Sequence, residues 1–123
     1  MSDNWYRNEV WNSEIEREFF SKLSRARSQR DQYIVIQALS LAKVEPKVAL
    51  TLIDLYFSSK KTDFDDLRAL MAKVDALAAL GDRKGAVEAK KAILNLEKKK
   101  KSQRSNEFVD YPFYVAMESI SEE

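Results

Sequence analysis

The 123-residue chain contains no cysteine and no histidine. Without cysteine there are no disulfides, no thiolate nucleophile and no thiolate-bound zinc. Without histidine the chain lacks the side chain most used as a general acid or base near neutral pH. Glycine and proline number two each. Turn-rich β folds need many more, so their scarcity points to helices with few, short joints. No apolar run approaches the roughly 18 residues of a membrane span. The first residues are polar and aromatic, unlike a signal sequence. The expected setting is therefore the cytoplasm, with no membrane contact. The sequence also lacks a Gly-rich phosphate loop, a nucleophile–base pair and any metal-ligand spacing. Together these gaps predict a protein that is not an enzyme and carries no cofactor.

What is present fits one globular domain. Apolar residues make up 45% and charged residues 33%, enough of each for a core and a soluble surface. Net charge is +1, but it is unevenly spread. Residues 83–104 carry a net +7, and residues 105–123 a net −5. That asymmetry suits an intramolecular clasp or two separate charged surfaces. Lys98–Lys101 has no arginine or aromatic residue interleaved. It reads as a solvated helix end of the sign the helix dipole favours, and it disfavours nucleic acid as the partner.

Apolar periodicity predicts five helices. The first starts near Asn12 or Ser13, where Ser13-Glu14-Ile15-Glu16 has the form of a capping box. Its stripe is Ile15, Phe19, Leu23 and Ala26, widened by Phe20, with Arg25 and Arg27 in the last turn. The second spans about Gln29–Lys43. It is apolar around most of its circumference, which predicts a central position. The third begins at Pro46, a residue suited to a first helical position. The fourth starts at Thr62-Asp63-Phe64-Asp65-Asp66, with Thr62 as cap and the aspartates facing the helix dipole; a cation site is the sharper alternative for these carboxylates. Its stripe begins at Phe64. The fifth runs from about Lys84 to Lys101.

Two segments resemble each other, Tyr33–Phe57 and Leu70–Leu94, with Ala49 and Ala86 at equivalent places 37 residues apart. Each reads as a helical hairpin with a small residue at the crossing. Gly81 supplies the φ > 0 residue that the second turn needs. The run Leu80-Gly81-Asp82-Arg83-Lys84-Gly85-Ala86, ending at Ile93-Leu94, resembles the second half of a tetratricopeptide repeat. Tyr33 and Ile36 match the aromatic and aliphatic residues of that family's first helix. Pro46 lies in the first unit's turn rather than at its end. Lys73 and Lys90 replace an aliphatic and an aromatic residue. The chain as a whole resembles small bacterial tetratricopeptide-like proteins of uncharacterised function.

The resemblance implies an all-α, five-helix antiparallel hairpin stack (tetratricopeptide-like). Trp5, Tyr6 and Trp11 make residues 1–11 an aromatic cap or a ligand-facing aromatic patch, with 12–101 as the core and 102–123 as a linker and extended strap. The resemblance also implies an interaction or adaptor module whose first helices line a groove for a protein or peptide partner. By register that groove holds Asp31, Ile34, Ala38 and Leu41, then Arg68, Met71, Asp75 and Ala78. The aromatic stretch around Tyr111, Phe113 and Tyr114 is either a self-cap or an interface, possible with a second copy as a homodimer. The alternative function is an immunity or antitoxin-type protein that neutralises a toxin by stoichiometric binding.

Overall fold

The structure is a computed structural model that describes residues 5–104. Among these it has five helices and no strand: α1 (Ser13–Leu23), α2 (Arg30–Leu41), α3 (Pro46–Ser59), α4 (Asp66–Ala79) and α5 (Arg83–Arg104). The all-α class expected from composition is what the described residues adopt. No helix among the described residues is long and apolar enough to cross a membrane. α2 packs on α3 and α4 packs on α5, and α4 also lies against α2 and α3.

The helix ends follow local chemistry, with some departures from expectation. Asn12 caps α1, its Oδ1 accepting the Ile15 N–H at 2.8 Å. Ser13 is already helical, so the Ser-x-x-Glu form does not act as a capping box; Asn12 caps alone, one residue earlier. α1 stops at Leu23, which leaves Arg25 and Arg27 in the joint beyond it rather than in its last turn. Pro46 opens α3 as expected. Gly81 has φ +82°. The Asp82 N–H reaches the Leu77 carbonyl at 2.9 Å and the Gly81 N–H reaches Ala78 at 3.0 Å, a Schellman closure of α4. Asp82 then caps α5 through the Gly85 N–H at 2.8 Å. A Cβ on Gly85 would lie 2.6 Å from the Asp82 carboxylate, so glycine there leaves room for the cap.

The start of α4 differs most. Thr62 does not cap the helix; its Oγ1 accepts the Phe64 N–H at 3.2 Å in a turn ahead of it. Phe64 is 86% exposed and takes no part in the apolar stripe. Nor do the aspartates act mainly on the helix dipole. Asp66 is buried and accepts the Tyr56 hydroxyl at 2.7 Å and the Lys60 ammonium at 2.9 Å. Lys60 also holds Asp63 at 2.6 Å. No cation-binding group of three or more carboxylates forms among the described residues.

The core has two parts. Phe19, Ile34, Val35, Ala38, Leu41, Ala49, Leu52, Ile53 and Tyr56 build the first, and α4 contributes Ala69, Ala72 and Ala76 to it. The second joins Leu67 and Val74 of α4 to Ala86, Ala89 and Ile93 of α5, with Leu70, Met71 and Leu77 packed around them. Helix α4 is thus two-faced. Its alanines let α2 and α3 approach closely, and its large side chains meet α5. Burying each valine- or leucine-sized side chain stabilises by about 1.5–3 kcal/mol. Ala49 and Ala86, equivalent in sequence, are both buried. α2 is largely buried as predicted, yet α4 is the helix in contact with three others.

Residues 5–11 cover α1 and α2. Tyr6 stacks on Tyr33 at 4.4 Å, Trp5 stands edge-on to Tyr33 at 4.9 Å and Trp11 edge-on to Phe19 at 5.7 Å. The segment is fastened by Gln37, fully buried on α2. Its Oε1 accepts the Asn8 backbone N–H at 3.0 Å and its Nε2 donates to the Asn8 carbonyl at 2.9 Å. That pairing satisfies a buried amide with backbone it also holds in place.

Candidate functional site

Asp31 is engaged by its own neighbours in the fold. Its Oδ2 accepts the Lys61 N–H at 2.8 Å, while Arg30 lies 3.7 Å from Oδ1 and donates to the Ser59 hydroxyl. The carboxylate therefore ties the start of α2 to the end of α3. Beside it, burial first and the Asp66 hydrogen bond second push the Tyr56 phenol far above its ordinary pKa. Lys60 is also raised, chiefly by its hydrogen bond to Asp63, which outweighs the lowering by burial, with Asp66 adding to the rise. Both groups hold their protons, so neither offers a base near neutral pH; the cluster locks the α3–α4 joint.

Ile34, Ala38 and Leu41 are fully buried. The apolar groove expected on the first unit is filled by the protein's own core, because α2 is covered by α3, α4 and the aromatic N-terminal segment together.

Arg68, Met71 and Asp75 do come together. They follow one another at helical spacing on α4, each half-buried, and lead to the exposed Ala78. Arg68 is held by Asp65. Met71 rests against the second core cluster. Asp75 is raised above the usual aspartate pKa, because burial costs its carboxylate more than the Lys43 charge returns. Tyr111, Phe113 and Tyr114 lie outside the described residues.

A second site escaped the sequence reading. The joint between α1 and α2 borders a cleft of about 470 Å³ lined by Lys22, Arg25 and Arg27, by Ser28 and Gln29, and by the rings of Trp5 and Tyr33. No carboxylate is among its lining residues. Gln29 gives α2 no side-chain cap; its Oε1 instead accepts the Tyr33 hydroxyl at 2.6 Å. The signal was present in Ser24-Arg25-Ala26-Arg27-Ser28. Two arginines between serines suit a helix joint better than a last turn.

Comparison with known protein families, with curated proteins and with solved structures found no match.

Proposed function

We propose that the chain is a non-catalytic, tetratricopeptide-like interaction module that engages a protein or peptide partner along the open strip of α4. The paired helices, the small residues Ala49 and Ala86 at corresponding places and the Gly81 turn support the repeat-like reading. One observation carries the choice of surface. α4 touches three other helices, yet Arg68, Met71 and Asp75 keep a partly open line along it. Asp75 is a carboxylate short of solvation there, opposed by the Lys43 charge. A partner that brings a cation to Asp75 and an apolar side chain to Met71 would complete both groups.

The test is a photo-crosslinking residue at Met71 in the full-length chain, expressed in its own cells, with the same residue at exposed Asp54 as comparison. A discrete adduct at position 71, identified by mass spectrometry and lost in Asp75→Lys, is the expected result. Equal labelling at both positions, or none at position 71, refutes the surface.

A further inference from the structure

We propose that the basic cleft at the α1–α2 joint binds a nucleoside phosphate, with Arg25, Arg27 and Lys22 on the phosphate and the Trp5–Tyr33 wall against the base. This site is distinct from the α4 strip and does not depend on it.

The cleft is wide open to solvent and has a volume of about 470 Å³, room for one small molecule lying against its wall. Its charge is of one sign, with three cations and no carboxylate in the lining. The local fold leaves those cations available. Arg27 is exposed and makes no hydrogen bond or ion pair among the described residues. The Arg25 guanidinium, among the described residues, meets only the Ser21 hydroxyl, at 3.3 Å. Lys22 pairs with Glu18 at 3.0 Å on the open surface of α1, a contact weak enough to exchange for a phosphate. Guanidinium groups match phosphate oxygens with paired, charge-assisted hydrogen bonds. The Ser28 hydroxyl and the Gln29 amide add polar partners within the same lining.

The rings supply the second half. Trp5 is fixed on three sides, by Tyr6 at 5.2 Å, Phe19 at 5.6 Å and Tyr33 at 4.9 Å. Tyr33 is held by Tyr6 and by its own hydroxyl bond to Gln29. A wall already ordered loses little freedom when a planar base is laid on it. The cationic lining is confined to residues 22–27, so the matching ligand carries its charge at one end. That geometry fits a single phosphorylated nucleoside better than an extended polyanion, which needs a continuous basic track.

The experiment is calorimetric titration of the full-length chain with the monophosphates of adenosine, guanosine, cytidine and uridine, beside ribose 5-phosphate, inorganic phosphate and the unphosphorylated nucleosides. At least one nucleotide should bind ten or more times more tightly than its nucleoside, than ribose 5-phosphate and than inorganic phosphate. Arg27→Glu, at an exposed position that leaves Tm unchanged, should weaken that binding at least tenfold. Trp5→Phe, which keeps Trp11, should remove the fluorescence change on binding. Silence from all four nucleotides overturns the proposal, as does inorganic phosphate binding equally well, or nucleotide affinity indifferent to Arg27→Glu.

Discussion

At Asp75 a carboxylate sits where water reaches it poorly and only the Lys43 charge opposes the cost. A folded-state pKa above the unfolded value favours the protonated form. The stability this brings is full below the unfolded pKa and is lost as pH rises through the folded one. At neutral pH the ionised group therefore costs the fold stability. Asp75→Asn should stabilise at pH 7 by about 0.5–1 kcal/mol, because it removes a poorly solvated charge. The gain should shrink as pH falls below the folded-state pKa of Asp75. Paired urea melts at pH 7 and in acid measure both. A destabilised variant, or a gain independent of pH, would contradict the assigned cause. The sequence placed Asp75 in line with Arg68 and Met71 on α4 but could not show that it is desolvated. Gln37 was harder still: a glutamine inside an apolar helix gives no sign that backbone eight residues from the chain's start will pair with it. Such partners are chosen by tertiary packing, which periodicity does not encode.

Helix α4 carries most of the information at the level of elements. Ala69, Ala72 and Ala76 repeat at helical spacing on one side, and Leu67, Leu70, Val74 and Leu77 on the other. The alanine side should resist enlargement. Ala72→Leu forces a larger side chain into a contact with no exposure, and should cost about 1–3 kcal/mol. Ala78→Leu, on the exposed end of the same helix, should change stability by no more than about 0.5 kcal/mol. Chemical denaturation of the two variants decides between a close-packed alanine face and an accidental one. The five helices were readable because apolar period, Pro46 and Gly81 are local signals. The entry to α4 was misread because Thr62 and the aspartates have two uses, capping and ion pairing. The choice depends on Lys60 and Tyr56 arriving from α3. Arg25 and Arg27 were misplaced because the stripe through Ala26 extends the helical pattern past the point where backbone bonding ends. The cleft they line was lost with them.

For the molecule as a whole, the two core clusters have α4 as their common wall. Neither hairpin keeps its full set of contacts if the other opens. Trp5 and Trp11 both belong to the first cluster, so their fluorescence reports on that part, whereas far-ultraviolet circular dichroism reports on every helix. The two signals should follow one urea transition with a common midpoint. Separate midpoints would mean that the parts unfold independently and that the wall is not shared. The same wall sets a schedule for synthesis. A ribosome delivers α2 and α3 before the alanines that pack against them, and delivers the leucine side of α4 before α5. Between those moments each newly emerged half has apolar surface facing water. The nascent chain passes its most adhesive stage when α4 is out and α5 is still in the tunnel, so a pause in translation would be felt most while the Gly81 turn stands at the tunnel exit.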